Sequence, residues 1–141
     1  MKNFIPLLLI SVSFLMSACG SGEANKIVDE FHKKLDAKEY DYICDNMLSE
    51  DALEATSREE WMGMFTTLDS WGKLKKRKKQ SGFSSKTNNG ITTVKLKYTF
   101  AIDTTLFYER IVTIDDGTGP KLLAFSVNTD EAVVDEFVAG Y

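Results

Sequence analysis

Histidine, cysteine and proline are almost missing from this 141-residue chain, which has one His, two Cys and two Pro. One histidine and the cysteines at 19 and 44 cannot supply the usual ligand set of a protein metal site, so no resident metal is expected. A disulfide-stapled fold is excluded by the same scarcity, because such small domains need several paired cysteines. Stability must therefore come from packing, and a content of 43% hydrophobic residues with nine Phe, five Tyr and two Trp permits it. No apolar run reaches the roughly 20 residues that a spanning helix needs; the longest, residues 4–16, stops well short. Gly-x-Gly occurs twice, as Gly20-Ser21-Gly22 and Gly117-Thr118-Gly119, but neither continues into the strand-turn-helix context of a phosphate-binding loop. No repeat or low-complexity tract is present, and nothing in the sequence calls for a cofactor.

What the N-terminus does contain is an address. Met1-Lys2-Asn3 is short and positive, residues 4–16 are apolar, and Ser17-Ala18 places small residues before Cys19. That is the layout of a secretory signal, expected over residues 1–18. Leu15-Met16-Ser17-Ala18-Cys19 resembles the lipobox of bacterial lipoproteins, in which a diacylglycerol thioether on the cysteine precedes cleavage. The resemblance implies Cys19 as the lipidation site and a mature chain held at a membrane of the cell envelope. Gly20-Ser21-Gly22 then suits a flexible tether over residues 19–23. With Cys19 acylated, Cys44 has no partner and is expected to be a small buried hydrophobe among Tyr42, Ile43 and Met47.

Past the tether, residues 24–128 have the pattern of a single α+β domain. Ala24, Ile27, Val28, Phe31 and Leu35 recur at helical spacing, with lysines and glutamate opposite. A weaker helical pattern covers residues 40–48. Ser57-Arg58-Glu59-Glu60 is a capping box that opens a third helix through Trp61, Met64, Phe65 and Leu68, ending at Trp71-Gly72. The period then changes to two. Thr92, Val94, Leu96, Tyr98, Phe100 and Ile102 share one strand face, and Asn88-Asn89-Gly90 predicts a hairpin whose other arm is residues 73–86. In the next strand both Leu106, Tyr108, Val112 and Ile114 and the pair Phe107 and Ile111 claim the interior, which predicts a bulge near Glu109-Arg110. A fourth strand over 121–128 is expected to turn Leu123, Phe125 and Val127 inward. The tail, residues 129–141, can form a short helix through Val133, Val134, Phe137 and Val138. Helices followed by a run of strands predict helices packed on a mainly four-stranded antiparallel sheet.

Three stretches carry a family resemblance: Trp71-Gly72-Lys73-Leu74-Lys75-Lys76-Arg77, Val94-Lys95-Leu96-Lys97-Tyr98-Thr99-Phe100, and Tyr108-Glu109-Arg110-Ile111-Val112-Thr113-Ile114-Asp115-Asp116-Gly117. Together, over residues 26–128, they resemble small uncharacterised bacterial lipoproteins of the NTF2-like (cystatin-like) superfamily. The resemblance implies a curved sheet wrapped around the first helix as a cone, with Phe31, Tyr98, Phe100 and Phe125 lining any pocket inside it. Some members of that superfamily are isomerases or dehydratases with an acid or base at the bottom of the cone.

Chemistry of that kind needs a titratable group in an apolar pocket beside a partner. The candidates are His32, Tyr98, Tyr108, Glu109 and Arg110, and none sits in a recognisable catalytic motif. His32 is expected at the edge of its helix's apolar stripe, solvated or hydrogen-bonded. Glu109 and Arg110 are expected in cross-strand pairs on the surface. No catalytic residue is therefore assigned, and a binding domain for a protein, a small molecule or a second copy is the leading expectation.

Charge is unevenly laid out. Residues 23–70 carry 13 acidic and 5 basic side chains, 73–110 carry 2 and 10, and 111–141 carry 6 and 1. The basic block centres on Lys73, Lys75, Lys76, Arg77, Lys78 and Lys79. On an exposed strand such lysines guard against edge-to-edge aggregation, and they also offer contact with an anionic membrane surface. Nucleic acid is not an expected partner of an exported, acidic, anchored chain.

Overall fold

The computed structural model describes residues 19–141, and the signal expected at residues 1–18 lies outside them. The first helix, α1 (Cys19–Asp36), buries Ala24, Val28, Phe31 and Leu35 as one stripe. Residues 19–23, the stretch expected as a flexible tether, belong to this helix. Asn25 Nδ2 donates to the Ser21 carbonyl at 2.7 Å and Lys26 pairs with Glu23 at 3.1 Å, contacts that extend the helix back over its glycines. It stops at Lys38 (φ 58°), where Glu39 N donates to Lys34 O and Lys38 N to Leu35 O, the bonding of a Schellman stop built on lysine rather than glycine.

The weak helical pattern that follows becomes α2 (Tyr40–Tyr42), which runs into a π turn (Ile43–Met47). The wider turn lets Ile43, Cys44 and Met47 all face inward. A helix not foreseen from periodicity, α3 (Glu50–Ala55), starts where Ser49 Oγ accepts from Ala52 N. In α4 (Arg58–Ser70) the capping box is present in both directions, and Trp61, Phe65 and Leu68 are buried. Gly72 ends this segment at φ 127°, with its backbone so close to Ile102 that a Cβ would lie 3.0 Å from the isoleucine methyl.

Five strands follow, in a curved, unclosed antiparallel sheet, as expected of a mainly four-stranded one with a single position divided between two short strands. The segment read as one hairpin arm divides at Gly82 (φ 90°) into β1 (Leu74–Lys79) and β2 (Ser84–Asn88), which pair with successive halves of the same edge of β3 (Ile91–Ile102). Asn89 and Gly90, both at positive φ, form the two-residue turn between β2 and β3. The sheet continues through β4 (Thr105–Asp115) to β5 (Lys121–Asn128) at its far edge.

The phase conflict in β4 has a different resolution from a bulge near Glu109-Arg110. Its register with β3 runs unbroken from Thr92↔Asp115 to Ile102↔Thr105. Both of its faces are covered from Glu109 to Thr113, so Ile111 and Val112 from the two competing sets are both inside, while Leu106 at the start of the strand is exposed. Ile111 packs in the main core with Phe31 and Phe125, while Val112 packs with Ala124 and Val138 under the last helix, α5 (Glu131–Ala139). The irregularity lies in β5 instead, where Ala124 faces Val112 and Leu122 faces Thr113. Leu123 is the extra residue, so Leu122 takes the inward position expected of Leu123.

Candidate functional site

Bulges in strands re-aim side chains, and β1 contains one. Its pairing with β3 slips between Lys75 and Lys78, at Lys76, which has φ 55°. Lys76 and Arg77 thus share the place opposite Phe100, and Arg77 turns beneath the sheet while Lys73, Lys75, Lys76, Lys78 and Lys79 stay exposed. Its guanidinium lies 3.3 Å from Asp36 through Nη1 and 3.9 Å from Glu109 through Nε, and stands over the Phe100 ring.

Glu109 is fully buried and His32 is nearly so; His32 Nε2 and Glu109 Oε2 are 2.8 Å apart across α1 and β4. Tyr98, the register partner of Glu109, meets the imidazole edge-on at 4.8 Å. Burial, then the Asp29 and Glu109 carboxylates, push the Tyr98 phenol up to about 12. Glu109 Oε1, Arg77 Nε and Arg77 Nη2 are buried without a hydrogen-bond partner among the described residues. This is a compact ionic cluster with spare polar capacity, which native interiors seldom leave unused.

Arg110 faces the other way and is equally buried. Its Nε donates to Asp135 at 2.6 Å and its Nη2 to Glu131 at 2.7 Å, clamping α5 against β4. That bond to Arg110 holds the Asp135 carboxyl below its ordinary value. The surface cross-strand pairs expected of Glu109 and Arg110 are therefore replaced by an interior cluster around Glu109 and, on the opposite side of the sheet, by a buried Arg110 that reaches two partly exposed carboxylates of α5. Alternation along β4 separates them, and a helix covers each.

Phe31, Tyr98 and Phe100 are core residues, and neither principal groove of the molecule is lined by them. Phe31 packs against Phe125 at 5.3 Å and against Phe65 at 6.0 Å. Tyr108 is half-buried on the strand face opposite Glu109. Cys44 is buried, and burial pushes its thiol up, which makes it a poor nucleophile. Among the described residues no group of His, Cys, Asp and Glu could hold a metal ion, and no helix is long and apolar enough to cross a membrane.

Phe125, of the four expected pocket residues, lines a groove along the sheet's far edge. Its volume is about 690 Å³. One wall is α4 with Trp61, Met64 and Trp71; the other is the end of α5 with Phe137 and Tyr141; the floor is β5 from Leu123 to Val127. Ser49 N donates to Leu122 O at 2.8 Å and occupies the start of the β5 edge. Beyond it, among the described residues, no strand pairs with that edge. Met64, Trp71, Phe137 and Tyr141 are each more than a third exposed. Helical spacing identifies Met64 as an apolar-face residue and Phe137 as part of the tail helix. Only the fold places them on facing walls.

Compared with protein-family models and with curated proteins, the sequence matches none.

Proposed function

We propose that the chain is a bacterial envelope lipoprotein of the NTF2-like type, anchored through Cys19, whose domain binds an extended polypeptide segment along β5 rather than catalysing a reaction. The observation that carries this reading is the β5 edge, unpaired among the described residues past Leu122, opening into an apolar groove. An added strand would gain main-chain hydrogen bonds from the edge and side-chain pockets from the walls, the general mode of strand addition. Charge points to a basic partner segment. Residues 50–70, which form α3 and α4, carry six acidic side chains, of which Asp69 pairs with Lys38, and only Arg58, already bonded to Asp41 and Asp45; residues 129–141 carry four acidic and no basic ones, of which Glu131 and Asp135 pair with Arg110. A segment with alternating apolar residues flanked by lysine or arginine fits both features.

The test places a photocrosslinking amino acid at Met64 in the anchored protein in cells, with Thr93 on the far side of the sheet as control. A discrete crosslink at 64 to a basic segment of another protein, lost on Phe137→Asp, is expected. Crosslinks only to a second copy, or equal labelling at 93, would overturn the proposed partner. Intact mass of the exported chain checks the anchor independently, since an acylated Cys19 is heavier by its lipid.

A second reading, a cone-pocket isomerase or dehydratase, draws support from one feature: a buried carboxylate, Glu109, beside His32 with an unpartnered oxygen. It needs a route from solvent to Glu109. Turnover by the wild-type protein that Glu109→Gln abolishes would favour it over the binding reading.

A further inference from the structure

The charge block that the β5 groove leaves unused lies at the anchored end of the molecule. Asn25, near the start of α1, accepts a hydrogen bond from the Lys79 ammonium through Oδ1. Asn25 is six residues from Cys19, about 9 Å along a helix axis. The end of β1 is thus fastened beside the residue expected to carry the acyl chains. Lys79 also stands 6.0 Å over the ring of Phe83, which is 51% exposed in the loop leading to β2. Lys78 and Lys79 are exposed, and the whole of β2 is exposed with Lys86 on it. The acidic helices α3, α4 and α5 flank the other edge of the sheet, so charge is segregated along the molecule as well as along the chain.

From this arrangement we infer that the end formed by Lys78, Lys79 and Phe83 rests on anionic lipid headgroups and orients the domain on the bilayer, as a second contact beside the lipid on Cys19. The inference rests on the lipid-anchor reading. The diacylglycerol expected on Cys19 supplies two acyl chains, enough to hold the protein at the bilayer, so the basic end adds orientation rather than attachment. Each lysine close to an anionic surface is worth about 1 kcal/mol, a factor of roughly five in binding. Protection of a sheet edge also explains lysines, but it gives no reason for a half-exposed phenylalanine among them. An interface with headgroups accommodates both, the ammonium groups at the phosphates and the ring at the acyl boundary. Anchored this way, the β5 groove stands at the opposite edge of the sheet from the basic strand, clear of the lipid surface and open to a partner.

The experiment uses the exported, lipidated protein in phosphatidylcholine vesicles with and without phosphatidylglycerol. A nitroxide on Ser81→Cys reports the loop without removing Phe83, and one on Glu59→Cys reports the acidic side; Cys44 is buried and leaves the labelling selective. Expected at 81, only with phosphatidylglycerol, are a rise in collisions with oxygen and a fall in collisions with a water-soluble nickel chelate, while 59 stays in water. Lys78→Gln and Lys79→Gln together should reduce the membrane-facing population by roughly 25-fold, about fivefold for each lysine. A label at 81 that remains as wet as that at 59, on protein whose mass shows an acylated Cys19, overturns the contact and leaves the anchor standing. Should the mass show an unmodified Cys19, the measurement is repeated with Cys19→Ser so that only 81 carries the label, and entry of that label into the anionic surface upholds the contact and overturns the anchor.

Discussion

Replacing Glu109 by glutamine removes the charge from the fully buried partner of His32 while keeping the side chain's shape. Losing one member of a buried ion pair typically costs about 3–5 kcal/mol, because the remaining charge is left in a poor solvent. One feature lowers that cost here: Arg77 keeps Asp36 at 3.3 Å. We therefore expect Glu109→Gln to destabilise by about 2–3 kcal/mol, a fall in Tm of roughly 10 °C for a domain of this size. Urea unfolding monitored by circular dichroism measures it. A double-mutant cycle with His32→Leu should return a coupling of about 1–3 kcal/mol, as for groups in direct contact. A Glu109→Gln protein within about 0.5 kcal/mol of wild type, with no coupling, would refute the reasoning, since a carboxylate sealed between α1 and β4 cannot lose its charge for so little.

Three further outcomes follow from local geometry. Gly72→Ala should destabilise by about 1–3 kcal/mol because φ 127° and the Ile102 methyl both oppose a Cβ, whereas Gly63→Ala in the open on α4 should stabilise by about 0.5–1 kcal/mol; chemical denaturation compares the two. The lowered Asp135 carboxyl contributes stability above its ordinary value of 3.8 that is lost as pH falls through its value in the folded protein, so Asp135→Asn should cost most near neutrality and progressively less in acid, as read from urea midpoints across pH. Cys44 should resist a thiol reagent in the native protein and react fully in denaturant, because its thiol is both covered and pushed up.

Elements with strong local signals were legible in the sequence. The stripe from Ala24 to Leu35, the capping box at Ser57, the stop at Gly72, the alternation of β3 and the Asn89-Gly90 turn all recur in the fold, because each depends on residues only a few positions apart. What failed was set by neighbours distant in sequence. Glu109 and Arg110 look like surface charges until α1 and α5 cover the two faces of β4. Leu122 and Leu123 cannot be told apart by pattern, since a single extra residue in β5 exchanges their sides. Arg77 reads as one more cation in a basic run, and only the bulge at Lys76 turns it inward. The groove was invisible for the same reason, its two walls being α4 and a tail helix more than sixty residues apart in the chain.

The bond between His32 and Glu109 spans 77 positions. A chain made from its N-terminus presents α1 long before β4 exists, so Phe31 can meet Phe65 of α4 early, whereas the side of the helix that carries His32 finds its partner only after a large loop has closed. Until then the nascent protein leaves that side open to a holding factor or to premature self-association.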